Sequence, residues 1–134
     1  MDAYEESMVA VGVDGSKESR ATVRWAAAEA FWREAELCLV YAYTYPVSIA
    51  WHRLPLVARP ECCDQAAEEM LAHIERDELG GYPSLAVRRI AVPGLAADVL
   101  MEVGRTADLL VVGATARHPL GHTLLGSVAR ALTR

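Results

Sequence analysis

The sequence predicts a doubly wound α/β domain, a parallel sheet with helices on both faces, and three observations carry that expectation. Short Val- and Leu-rich runs recur along the chain, segments of helical period separate them, and small turn residues close them. A parallel strand covered on both faces reads as a continuous apolar run, and each return to the sheet needs a crossover of helical length. With 134 residues and 53% apolar content, the chain has the size and composition of one such unit. Residues 1–134 are therefore expected to form a single domain.

The elements follow in order. Met8 to Val13 (MVAVGV) is an apolar run closed by Asp14-Gly15-Ser16, a buried strand leading into a turn. Ser19 is expected to cap the first helix, whose apolar positions Val23, Ala26, Ala27 and Ala30 recur at i, i+3, i+4 and i+7. Leu37 to Tyr43 (LCLVYAY) is the second strand, expected to be central. Residues 44–60 carry three prolines and no clean period, the mark of a long irregular connection. From Glu61, Ala67, Met70, Leu71 and Ile74 repeat at helical spacing until Gly80-Gly81. Leu85 to Val92 contains Arg88 and Arg89, which suits a strand near the sheet edge. Ala96, Val99, Leu100 and Val103 mark a third helix, and Asp108 to Gly113 (DLLVVG) is the most convincing buried strand in the chain. A glycine-bearing loop and a last helix over 127–133 complete the expectation.

Charge and cysteine usage narrow the function classes. A net charge of −5 disfavours any broad phosphate-backbone surface, so no nucleic-acid partner is expected. The acidic start MDAYEES lacks the features of a signal peptide and no apolar stretch approaches membrane-spanning length, so a cytoplasmic location is expected, with no membrane partner. Cys38, Cys62 and Cys63 lack metal-site spacing, which fits a reducing compartment and no bound metal.

In open parallel sheets, ligands bind beyond the carboxyl ends of the strands, where neighbouring crossovers leave in opposite directions. Asp14, just after the first strand, could accept hydrogen bonds from ribose hydroxyls or, equally, from backbone amides of its own turn. After the fourth strand, Gly113 to Val128 forms a glycine-bearing loop that runs into a helix start. There Gly126 and Ser127 could hold phosphate, or simply make a turn and an N-cap. His118 and His122 lie in this loop without the spacing of an adenylyl-transfer motif. Lys17, the one lysine, sits outside any P-loop pattern, and nothing supplies a dedicated general base.

The same segments resemble the universal stress protein family. Its signature is a glycine, two residues, a second glycine, nine residues, then Gly-Ser or Gly-Thr; Gly113, Gly126 and Ser127 match, and Ala116 stands at the second glycine. Further matches are VAVGVDGS at Val9 to Ser16, Arg24-Trp25-Ala26-Ala27, LVYAY at Leu39 to Tyr43 and ADLLVVG at Ala107 to Gly113. The resemblance implies a Rossmann-like fold of the adenine nucleotide alpha-hydrolase type, strand order 3-2-1-4. A fifth strand usually follows in that family; the chain ends at Arg134, so Asp108 to Gly113 is expected to be left as an edge.

The resemblance also implies a function: binding of ATP or AMP, with or without Mg, in a regulatory role in the stress response with little or no hydrolysis. By it, Asp14 would contact the nucleoside, backbone at Ala42 would read adenine, and Gly113, Ala116, Gly126, Ser127 and Val128 would surround ribose and phosphates. A homodimer and a stress-response protein partner are implied too. The alternative is a nucleotide-free dimeric interaction module of the same family. If the position of Ala116 demands a positive φ, its methyl group costs about 1 kcal/mol or more.

Overall fold

The structure, a computed structural model, describes residues 7–43, 61–113, 115–117 and 123–125, with 61–63, 115–117 and 123–125 described by their backbone alone. Nine elements follow one another among these residues: β1 (Met8–Gly12), α1 (Lys17–Arg33), β2 (Glu36–Tyr43), α2 (Glu61–Glu78), β3 (Val87–Pro93), α3 (Ala96–Gly104), β4 (Leu109–Val111), β5 (Thr115–Arg117) and β6 (Thr123–Leu125). The first four strands form a parallel sheet in the order β3-β2-β1-β4, which is the doubly wound arrangement expected.

Two apolar layers cover the sheet. Val9, Val11, Leu37 and Leu39 face α1 and α2, where they meet Val23, Ala26, Ala27, Ala30, Leu71 and Ile74. Ala10, Cys38 and Val40 face the other way, against Leu100 of α3. Strict alternation along β1 and β2 thus feeds both layers from one uninterrupted apolar run. Burial in the second layer raises the Cys38 thiol to a pKa of about 11, so the residue acts as a small apolar filler. The helical periods are confirmed where they matter for packing: Val23, Ala26, Ala27, Ala30, Leu71 and Ile74 are fully buried, and Ala67 and Leu100 nearly so.

Four expectations are corrected. The N-cap of α1 is Ser16, not Ser19: the Ser16 hydroxyl accepts the Ser19 amide at 3.1 Å, while the Ser19 hydroxyl donates back to the Ser16 carbonyl at 2.9 Å. Two serines at cap and third helical position satisfy each other, so the helix begins a turn earlier than the apolar period alone suggests. β4 is half-buried rather than buried, because among the described residues it borders β1 on one side only, the outer position that the order 3-2-1-4 implies. The segment expected to be an open loop contains an antiparallel hairpin, β5 with β6, in which Ala116 pairs with Leu124. That places Ala116 in extended backbone, which any L-residue adopts, so the strain foreseen for an alanine at positive φ does not arise there. The irregular connection over 44–60 and the last helix over 127–133 lie outside the described residues.

β3 is an outer strand, as its arginines indicated, and Arg88 reaches across β2 to Glu36 at 3.2 Å. Helices α1 and α2 are tied by Arg20 to Asp77 and Glu78 at 3.2 and 3.0 Å and by Arg24 to Glu78 at 2.6 Å.

Candidate functional site

The parallel sheet sets all four carboxyl ends on one side, and the crossovers diverge between β1 and β4: α1 leaves over one face and α3 arrives over the other. Such a divergence opens a crevice at the carboxyl ends. The residues at its floor follow from the ladder register. Val11 pairs with Leu39 on β2 and with Val111 on β4. The β1 ladders end at Gly12 opposite Val40 and at Val11 opposite Val111, so Asp14, Ala42 and Gly113 all lie just beyond the carboxyl end of the paired part of β1.

The chain turns sharply at Asp14 for a local reason. Gly15 has φ +83°, a conformation that a side chain resists, and a methyl group there would come within 2.9 Å of the Met70 sulfur of α2. The turn is closed by the Ser16 amide, which donates to Asp14 Oδ1 at 2.9 Å. Partial burial pushes the Asp14 carboxyl up, but hydrogen bonds within its turn, chiefly from the Ser16 hydroxyl and amide, outweigh it and hold the group below its ordinary value. The carboxylate is ionised near neutrality and exposed at the crevice, with acceptor capacity beyond the Ser16 donors it binds. Close approach continues at Gly12, where a methyl group would sit 2.9 Å from Leu100 Cδ1 and force that side chain to shift.

Ala42 contributes through its backbone. In a parallel strand, successive residues present both N–H and C=O to alternate neighbours. The Val13 amide donates to the Val40 carbonyl at 2.9 Å, so Val40 faces β1, and the Gly94 amide donates to the Tyr43 carbonyl at 2.8 Å, so Tyr43 faces β3. By parity the N–H and C=O of Ala42 face β1, at the level where β1 has already turned off at Asp14. That geometry aims one donor and one acceptor, adjacent in the chain, into the crevice.

Sequence reasoning missed the wall formed by α2. The Tyr43 hydroxyl is hydrogen-bonded to the Asp64 carboxylate, and the Tyr43 and Tyr41 rings lie 5.7 Å apart on the face that α2 covers. The Met70 sulfur beside Gly15 makes a second contact between α2 and the rim of the site. The apolar period of α2 hinted at Met70, but nothing local joins Asp64 to Tyr43, which only the fold brings together. Of the residues singled out from sequence, Asp14, Ala42 and Gly113 are thus gathered at the switch point, and Ala116 follows in β5. Gly126, Ser127 and Val128 lie outside the described residues, as do His118 and His122. Among the described residues, no cluster of three or more His, Cys, Asp or Glu could hold a metal ion, and no helix is long and apolar enough to cross a membrane.

Comparison with known proteins places this geometry in context. A profile of the universal stress protein family matches residues 8–134. A universal stress protein of Mycolicibacterium smegmatis is 34% identical over 128 residues, an alignment covering 92% of this chain and 43% of that protein. The chain spans less than half the length of the curated relatives it matches. In fold, it superposes on the universal stress protein UspA of Lactobacillus plantarum with a TM-score of 0.72 at 20% identity, covering 95% of this chain and 90% of that one. It also superposes on the universal stress protein of Archaeoglobus fulgidus in complex with dAMP, with a TM-score of 0.59 at 21% identity, covering 95% and 89%.

Proposed function

The chain belongs to the universal stress protein family, and from that premise we propose that it binds an adenine nucleotide, ATP or AMP, in the crevice between β1 and β4 and acts as a regulatory domain in the stress response. The observation that carries this reading is the arrangement at the carboxyl end of β1. The ionised Asp14 carboxylate follows β1 directly, and the backbone donor and acceptor of Ala42 on the neighbouring β2 face the space that β1 leaves. A carboxylate suits the two ribose hydroxyls, and an adjacent N–H and C=O match the ring nitrogen and exocyclic amine along one edge of adenine. The dAMP complex of the Archaeoglobus relative supports the ligand class. Gly113, the segment through Ala116 and the Gly126-Ser127-Val128 stretch would then surround the phosphates, with Mg as the companion ion of ATP. Among the described residues nothing positions a general base on an attacking water, and binding without appreciable hydrolysis is the activity proposed. A homodimer that engages another stress-response protein in the cytoplasm completes the reading.

A second reading, a nucleotide-free dimeric interaction module, is favoured by one observation: the segment after β4 carries a short antiparallel ladder through Ala116, where a phosphate-wrapping loop would run open. Calorimetry separates the two. The first reading expects ATP or AMP to bind with a micromolar dissociation constant, about −8 kcal/mol, and expects nucleotide in the supernatant when the purified protein is gently denatured and analysed by mass spectrometry. No heat and no thermal shift at millimolar nucleotide, with or without Mg, would reject it.

A further inference from the structure

Helix α1 is apolar on two opposite faces. Val23, Ala26, Ala27 and Ala30 enter the core. Half a turn round the helix, Ala21, Trp25, Ala28 and Trp32 recur at i, i+4, i+7 and i+11 and form a strip directed away from it. Trp25 is 55% exposed and Trp32 81%, and Phe31, 46% exposed, flanks them with its ring tilted against Tyr82 at 5.4 Å. Single exposed apolar residues need no explanation. Two tryptophans one heptad apart on the outer face of one helix, rimmed by charge, form the kind of patch that marks an interaction surface. Tryptophan is also the residue most enriched among those that dominate binding energy.

The strip itself indicates its occupant. Large and small residues alternate along it in the order Ala21, Trp25, Ala28, Trp32. Two copies of α1 laid antiparallel about a two-fold axis can set each Trp25 over Ala28 of the other copy and each Trp32 over its Ala21, so every ring meets a methyl-sized gap. The same register sets Arg24 of one copy opposite Glu29 of the other. The flanking charges are of both signs, with Arg24 paired to Glu78 at 2.6 Å and Arg33 to Glu29 at 3.1 Å, a mixed rim that suits a second copy of itself better than a partner of one strong charge. The area is adequate. The two tryptophans expose on the order of 250 Å² per copy, about half of what each side of a small specific interface hides, and the alanines, Phe31 and the charged rim supply the remainder.

We propose that the outer face of α1 is an interface for a second copy of this chain, with the two helices antiparallel and Trp25 and Trp32 as its anchors. This contact lies on the helical face of the sheet, away from the strand edge at β4, and is independent of whether nucleotide binds. Light scattering and sedimentation of the full chain, from low micromolar to sub-millimolar concentration, test it. The wild type is expected to dimerise. Trp25→Glu and Trp32→Glu are each expected to weaken the dimer by about thirtyfold or more with an unchanged melting profile of the monomer, since neither side chain enters the core. Arg24→Glu and Glu29→Arg are each expected to weaken it, and the double variant Arg24→Glu with Glu29→Arg to recover most of the loss, a pattern only the antiparallel register produces. A wild type that stays monomeric throughout overturns the proposal, as does a dimer that both tryptophan variants leave intact. Charge reversals that add instead of compensating overturn it as well, and they remain informative should a tryptophan variant fail to fold.

Discussion

Replacing Asp14 separates its two roles, because asparagine and alanine remove different things. The carboxylate closes its turn by accepting the Ser16 amide at 2.9 Å, and the amide oxygen of asparagine can accept the same bond. Asp14→Asn should therefore keep the turn and the melting temperature close to wild type while abolishing the charge that faces the crevice. Asp14→Ala loses both. The missing turn bond costs about 1 kcal/mol of stability, or about 3 to 5 °C in melting temperature for a domain of this size. For nucleotide, loss of a charge-assisted bond to ribose costs about 1 to 3 kcal/mol, or about five- to 150-fold in affinity. Titration calorimetry with ATP, alongside thermal melts of all three proteins, resolves the pattern: stability falls only in the alanine variant and affinity falls in both. An alanine variant that is folded and binds as tightly as wild type would remove Asp14 from the site, and an asparagine variant that melts as early as alanine would refute the turn argument.

Three further outcomes follow from the backbone and the ion pairs. Glu34 ends α1 at φ 55° and ψ 40°, so Glu34→Gly should raise stability by about 0.5 to 1 kcal/mol, the relieved left-handed strain exceeding the added freedom of the unfolded chain; a lower denaturation midpoint would contradict it. Gly15→Ala should cost about 1 to 2 kcal/mol at φ +83° and weaken nucleotide binding by tilting Asp14, whereas equal stability in urea melts would show that the turn can relax. Asp77 and Glu78 are held below their ordinary values of 3.8 and 4.5, chiefly by Arg20 and by Arg24 respectively, so each stabilises the fold above those values and loses that contribution as pH falls through its lowered pKa. The melting temperature should drop along that acid limb, and Glu78→Gln should flatten it; superimposable profiles would show that the α1–α2 clamp contributes nothing.

The fold was legible because its strands are buried on both faces. A run such as Leu37 to Tyr43 has no alternation to misread, and the arginines of β3 marked an outer strand before any pairing was known. Errors arose where two local signals competed. Ser16 and Ser19 are both good caps, and apolar periodicity points to the second because the first helical turn of α1 buries little; the exchange of hydrogen bonds between the two serines decides for the first. β4 is as apolar as β2, yet it is half-buried because it borders only β1 among the described residues, a position that the implied strand order shows and its apolar run alone does not. The β5–β6 pairing was hidden for a similar reason, since TAR and TLL are too short to carry a period-two signal of their own.

The site was legible to the extent that it is backbone. Asp14 and Gly15 announce a turn at the end of β1, and the orientation of Ala42 follows from parity along β2. Side chains arriving from α2 were not legible, because Asp64 and Met70 reach the rim only through the packing of a helix across a long connection. The two sequence readings of Asp14, ribose acceptor and turn acceptor, are compatible in the folded chain. An ionised carboxylate offers about four lone-pair positions, and the Ser16 amide and hydroxyl take two. The turn bond orients the group, and the hydrogen bonds that hold its pKa down keep it charged, so the local role supplies the geometry that the proposed ligand contact needs.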